Sequence, residues 1–350
     1  MSYTNGLDKP TLYFNTKLYA GNSGTQSITG VGFQPDFLWI KRRTIAGDHN
    51  LVDIIRTSDK TLISNDTGAE YSNATITSFD SDGFSLSGSD GALNASGSNY
   101  VAWNWLASNT TASNTDGSIT STVSANTTAG FSVVSYSGSN SNVTVGHGIN
   151  TPKMIFIKNR TSTSSWTVYH ESIGNGHRLV LNSSGAKEST NQFSFGTSPT
   201  SSVFALGGGY NDVCASGQNY VAYCFAEKKG YSKFGSYTGT SSQVFIYTGF
   251  KPKFILIKKS SETASWHLFD TSRTASNGGN QLNKILFPNL SNAEADDSYN
   301  YVDANSNGFR CYSGPSGQGT ETNKNGETFI YMCFAESPFV TSTGIPTTAR

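Results

Sequence analysis

The sequence predicts an all-β chain of three tandem antiparallel β-sandwich repeats, of jelly-roll or concanavalin-like type. Three observations carry that expectation. First, one apolar phrase returns at regular distance: NYVAWNWLA (Asn99 to Ala107), NYVAYCFAE (Asn219 to Glu227) and TFIYMCFAE (Thr328 to Glu336). Such a return marks one folding unit copied along the chain. Second, only 14% of the residues are charged while 12% are aromatic, with Ser, Thr, Asn and Gly filling the gap. Short polar residues make turns, and aromatic residues suit pleated, half-buried surfaces. Third, helical periodicity is nearly absent across the 350 residues, with a turn or two expected only around NLSNAEADD (Asn289 to Asp297).

Each unit opens on a hairpin-like lead: KLYAGNSGTQSI, VSYSGSNSNVTV and GSYTGTSSQVFI. Tyr19, Tyr136 and Tyr237 correspond, followed two residues later by Gly21, Gly138 and Gly239. An aromatic, a Gly/Ser/Asn turn and an alternating run read as a β-hairpin. A glycine-bearing approach then enters an apolar strand: GFQPDFLWIKRR, GINTPKMIFIKNR and GFKPKFILIKKS. Pro35, Pro152 and Pro252 stand where a missing N–H costs least, and the apolar runs end in Lys41, Lys158 and Lys258. Nearly continuous apolar runs suit strands covered on both faces. Next come HNLVDIIR, WTVYHESI and WHLFDTSR, then a turn and strand in FDSDGFSLSG, PTSSVFALGG and ANSNGFRCYSG. A polar loop leads into the repeated phrase. Alternation places Tyr220, Ala222 and Cys224 on one face of that phrase and Val221, Tyr223 and Phe225 on the other. Both faces are apolar, so the phrase reads as a central strand.

This spacing divides the chain into an N-terminal arm (1–17), repeats at 18–112, 113–228 and 229–340, and a C-terminal tail (341–350). About 100 residues can close a core alone, so each repeat is expected to do so. The alternative is three units around one core, as in a pseudo-threefold prism.

Composition excludes several function classes. Lys and Arg number 24 against 24 Asp and Glu, with no basic run longer than Lys41 to Arg43. Nucleic-acid affinity comes largely from clustered cations, so nucleic acid is not an expected partner. No apolar run approaches the roughly 18 residues of a membrane span, and the start shows no basic-then-apolar signal segment. The chain is expected to be made and folded in a cytoplasm. Cys214, Cys224, Cys311 and Cys333 form no C-x-x-C pair, and a reducing compartment favours buried free thiols over disulfides.

The set GF-x-P-x-F-x-x-IK, D-G-F-x-L, YVAW-x-W or YVAYCFAE, EKKGYSKFGSYTGT and IYMCFAESPF, spread from about Tyr13 to Phe339, resembles a repeat family of structural proteins from marine tailed bacteriophages, cyanophages included. Those proteins are tail fibre, appendage or head-decoration components with lectin-like β-sandwich modules. The resemblance implies a virion location, synthesis in the host cytoplasm, other virion proteins as partners and no catalytic residues.

Candidate chemistry is sparse. DANSNG (Asp303 to Gly308) matches the opening of a calcium loop through Asp303, Asn305 and Asn307, but Gly314 stands where the closing Glu belongs. The first repeat offers Asp80 and Asp82 there; the second offers no carboxylate. A polar turn is the preferred reading, with calcium as the weaker one and no other cofactor expected. Asp53, His170 and Asp270 share one repeat position, with Arg56 and Arg273 three residues after two of them. They read as a local ion pair at a strand end, or as a polar ligand-binding spot. Trp166 and Trp266 correspond, with His49 in the first repeat, and read as core or inter-module packing, or as rings facing a ligand or partner. No H-E-x-x-H or G-x-S-x-G occurs, and LGGGYND and GSDGALNASGS read as loops rather than phosphate cradles.

The functional expectation is a non-enzymatic virion structural protein that acts in assembly and host-surface attachment. It is expected to form homo-oligomers, trimers for a fibre, and to use its two unrepeated ends as anchors. The alternative is a lectin-like module that recognises a host surface glycan; a tailspike-type glycosidase or lyase is a third class.

Overall fold

The computed structural model describes residues 4, 6–193, 197–273, 280–296, 302–313 and 319–347. Nearly all its regular structure is strand, and every pairing between strands of its sheets is antiparallel. Three larger sheets repeat one inner order. In the first repeat it is Phe14–Ala20, Asn99–Trp105, Phe37–Arg42, His49–Asp53; in the second, Phe131–Ser137, Asn219–Ala226, Pro152–Asn159, Thr167–His170; in the third, Ser232–Thr238, Thr328–Pro338, Phe250–Lys259, Trp266–Asp270. The repeated phrase is a central strand in all three, as its apolar faces require. Pro152 and Pro252 sit at register shifts against it, where a missing N–H is tolerated.

Smaller sheets cover one face of each larger sheet. Gln26–Thr29, Gly83–Leu86 and Ile76–Asp80 form one, Val143–Gly146 and Val203–Leu206 another, and Gln243–Tyr247, Gly308–Tyr312, Val302–Asn305 and Gln281–Leu282 a third. A separate apolar cluster fills the space between the layers in each repeat. The leads are not hairpins. Phe14–Ala20 and Gln26–Thr29 lie in different sheets, and their counterparts behave alike. The conserved spacing has another cause. A Cβ on Gly21, Gly138 or Gly239 would stand 2.3, 2.3 or 2.1 Å from a backbone carbonyl oxygen of Ala95, Ala215 or Lys324. Each matching tyrosine donates its hydroxyl across the same corner, to Leu93, Val213 or Thr322. The ring then stacks on the phrase residue beside it, Tyr100, Tyr220 or Phe329, at 5.0 to 5.2 Å.

The opposite face of every larger sheet closes on one shared core. Phe37, Trp39, Trp103, Trp105, Phe131, Phe156, Trp166, Tyr223, Phe225, Phe254, Trp266, Met332 and Phe334 all belong to a single cluster. At its centre Trp105, Phe225 and Phe334, one from each copy of the phrase, meet pairwise at 6.2, 5.7 and 6.0 Å between ring centroids. Repeats that each close a core alone are therefore the wrong picture. Each has a core of its own on one face and spends the other on a core common to all three.

Further expectations shift. No helix forms at Asn289 to Asp296, which holds a short strand at Ala295–Asp296 (Asp297 lies outside the described residues); a four-residue helix occurs instead at Thr320–Asn323. The first sheet begins at Phe14, inside the expected arm, and Ala112–Asn114 joins the sheet of the second repeat. Parts of both ends are tied to the body of the chain, while residues 342–347 stay exposed. Leu7 is buried in the shared core, Tyr13 packs on Tyr231, and Asp8 accepts hydrogen bonds from the amide and hydroxyl of Ser342. The four cysteines are buried free thiols.

Candidate functional site

The residues singled out from the sequence converge on the seams between repeats. Asp53, His170 and Asp270 are fully or nearly fully buried. Each does two jobs with two atoms. Asp53 Oδ1 accepts from the amides of Ile55 and Arg56, Asp270 Oδ1 from those of Ser272 and Arg273, and His170 Nδ1 from that of Ser172. This caps the turn that ends the strand. The second atom reaches the next repeat's copy of the phrase. Tyr223 donates its hydroxyl to Asp53 Oδ2 at 2.8 Å, and Trp103 Nε1 donates to Asp270 Oδ2 at 3.0 Å. The corresponding residue at the remaining seam is Met332, which has no donor. There His170 Nε2 donates to the Tyr331 carbonyl at 3.2 Å, the neutral tautomer being fixed by the amide that Nδ1 accepts.

Two seams carry a charge relay. Arg56 and Arg273 are buried against Asp53 and Asp270. Each also donates to a glutamate of its own repeat, Glu70 at 3.3 Å or Glu294 at 3.0 Å. Those glutamates hold Arg160 and Arg43 of the neighbouring repeat with two hydrogen bonds each. Burial alone would lower the Arg56 pKa; Asp53, Tyr223 and Glu70 overcome it and raise it. Arg273 also lies over the Trp103 ring at 5.6 Å, a cation–π contact. The third seam has Ile173, Lys187 and Ser260 at the matching places. Its partner offers no donor, so a carboxylate there would be buried uncompensated, and the whole relay is absent with it.

Trp166 and Trp266 do not face a ligand. They are buried, and each donates its indole N–H to the neighbouring repeat, to the Ile63 carbonyl at 2.8 Å and the Val180 carbonyl at 3.0 Å. His49, at the matching place, accepts from Trp39 Nε1 instead, and its Nε2 lies toward Phe287 without a well-formed hydrogen bond. The three strand-ending lysines complete the set. Lys41, Lys158 and Lys258 donate across the seams to the carbonyls of Ser291, Thr67 and Ser184. Burial lowers their pKa values to about 8, 8 and 7. The same carbonyls accept the amides of Gly47, Ser164 and Ala264 at 2.8 to 2.9 Å.

The calcium candidates are built into turns. Asp80 accepts from Ser78 and Ser85, and Asp82 from the amides of Gly30 and Gly32. Asp303 accepts from Tyr312, and the Asn307 carbonyl accepts the amides of Thr248 and Gly249. Asn305 ends the strand Val302–Asn305, and its amide nitrogen is buried without a hydrogen bond. Among the described residues, no three His, Cys, Asp or Glu side chains converge as a metal site. The glycine of the D-G-F turn is required by close approach: a Cβ on Gly83 or Gly308 would meet the carbonyl oxygen of Ile28 or Ile246 at 1.9 or 2.2 Å.

One feature escaped the sequence reading. An open cleft of about 470 Å³ lies on the second repeat, lined by Arg178, Glu188, Asn191, Gln192 and Tyr210 among others. Its residues come from strand His177–Val180, the pairing strand Glu188–Ser189 with the segment 190–192 that follows it, and the loop carrying LGGGYND. No repeat position signals it, because Arg178 and Tyr210 have no like residue at the matching described places.

A family described as a domain of unknown function, DUF7483, matches residues 9–338. The chain belongs to the DUF7483 family. No curated protein matches it. The DUF7483 match runs through all three sequence repeats.

Two predictions follow from the seams of this DUF7483 protein. Trp103 and Trp105 are both buried, but only Trp103 has its N–H paired; that of Trp105 is unpartnered. Trp103→Phe should therefore destabilise more than Trp105→Phe by about 1–3 kcal/mol, the cost of stranding a buried polar partner, read by urea unfolding. Equal losses would mean that the bond to Asp270 contributes nothing. The second concerns pH. Burial lowers the pKa of His170 and of His147 to about 4, and pushes that of His49 well below its usual value. The unfolded chain then binds these protons first, so stability is lost as pH falls from about 6.5 toward 4. Asp36, raised by burial to about 6, opposes part of this loss. The melting temperature should fall between pH 7 and about 5, and His170→Gln should blunt the fall; an unchanged pH profile in that variant would place the acid sensitivity elsewhere.

Proposed function

We propose that the chain is one β-sandwich template, triplicated and closed around a pseudo-threefold axis, and that it serves as a non-enzymatic structural component of a tailed-phage virion, in a tail fibre or appendage or on the head. The observation that carries this reading is the use made of the repeat's reactive side chains. Asp53, His170, Asp270 and the three lysines each direct a polar atom at a neighbouring repeat, and Arg56 and Arg273 are buried against the two aspartates. A scaffold that must hold its shape on a particle has use for such cement. The phage assignment rests on the motif set quoted above, and other virion proteins and further copies of the chain, three in a fibre, are its proposed partners. Antibody–gold labelling of purified particles should place the protein on the virion; a protein recovered only in the particle-free soluble fraction of infected cells would contradict it.

Attachment to a host surface glycan is the second reading. The cleft on the second repeat favours it, because an exposed ring stands there beside fixed polar groups.

A further inference from the structure

We propose that the cleft on the second repeat binds a neutral pyranoside, with Tyr210 as the stacking face. The inference rests on the glycan-attachment reading and names its site and ligand class.

Three observations point there. The first is preorganisation. Arg178 donates to Asp212 at 2.6 Å, to Glu188 at 2.5 Å and to Thr167 at 3.3 Å. Gln192, nearly buried, donates to Asp212 at 3.2 Å and accepts from Thr167 at 2.9 Å. Asp212 in turn accepts from the amide of Ser165. These polar groups are held in place before any ligand arrives, which lowers the ordering cost of binding. The second is the ring. Tyr210 is 38% exposed in a chain whose large aromatics are mostly buried. Its loop is fixed by amides of Val213 and Cys214 donating to its carbonyl, and its ring lies over Gly207. A flat ring with one wet edge beside polar side chains suits the apolar face and hydroxyl rim of a sugar.

The third is charge and size. Arg178 is matched by two carboxylates, Glu188 and Asp212, so the cleft has no surplus positive charge for a phosphate or nucleic acid. The hydroxyl of Thr190 and the amide of Asn191 along its wall suit a neutral polyhydroxylated ligand. About 470 Å³ falls within the usual range for a ligand site.

Among the described residues, the arginine and the ring of the cleft occur in the second copy and not at the matching places of the other two. Sheet register puts Thr61 and Ile285 at the place of Arg178, beside Leu62, Leu179 and Leu286. The tyrosine-corner acceptors Leu93, Val213 and Thr322 put Asp90 and Gly319 at the place of Tyr210. The first and third repeats therefore carry neither this arginine nor this ring at the matching places.

Saturation-transfer NMR on the intact protein with a panel of methyl pyranosides (glucoside, galactoside, mannoside and N-acetylglucosaminide) tests this. At least one should receive saturation on its ring protons. Tyr210→Ala should weaken that binding by about tenfold, and Tyr210→Phe should keep it. Because Tyr210 is exposed, neither variant should unfold the chain, which the melting temperature checks. Binding that survives in Tyr210→Ala overturns the cleft while leaving glycan attachment standing. Failure of every pyranoside, together with failure to retain the protein on immobilised host-surface polysaccharide, overturns both.

Discussion

The structure depends on burying a second apolar face on each larger sheet. A sheet needs one covered face to be stable, and the smaller sheets supply that within each repeat. The phrase strands, however, are apolar on both sides. Val101, Val221 and Ile330, with the aromatics beside them, can leave water only against the other repeats. Trp105, Phe225 and Phe334, meeting pairwise in the shared core, are the plainest statement of this constraint. Large aromatics of this kind each stabilise by roughly 1.5–3 kcal/mol when buried. Exposing three such faces would therefore be costly for any one repeat standing alone.

Apolar burial brings the sheets together without fixing how they are rotated. The polar seams do that. One repeat position caps its own turn with one atom and addresses the neighbour with another, so local strand geometry and inter-repeat docking are tied together. Two seams do this with buried charge and one with a neutral imidazole, and the choice follows the partner. Tyr223 and Trp103 offer donors and meet carboxylates, whereas Met332 offers none and meets a histidine that donates to the main chain. Buried ion pairs contribute little net stability against apolar replacements, but breaking one partner costs about 3–5 kcal/mol. Their effect here is to specify one arrangement of the repeats.

Much of the fold was legible in the sequence, because periodicity and turn chemistry act locally. The phrase strands, the three strand-ending lysines and the burial of both phrase faces follow from alternation alone. The corner at Tyr19, Tyr136 and Tyr237 was visible as a pattern, but its meaning was not: a hairpin and a crossing between layers use the same residues. The site residues were legible as correspondences and illegible as contacts. Asp53 looks like half of a local pair with Arg56 until Tyr223, from another repeat, is brought to it. The matching of Trp166 with Trp266 showed that the position mattered; that its indole N–H reaches a neighbour's carbonyl depends on the closed ring of three. The cleft beside Tyr210 gave no signal, since repetition reveals what copies share and hides what one copy has acquired.

A common core and reciprocal seams make the three repeats one cooperative unit. Differential scanning calorimetry of the whole chain tests this most directly. The account predicts a single transition whose calorimetric and van't Hoff enthalpies agree. Separate transitions for individual repeats, or a calorimetric enthalpy near three times the van't Hoff value, would contradict it.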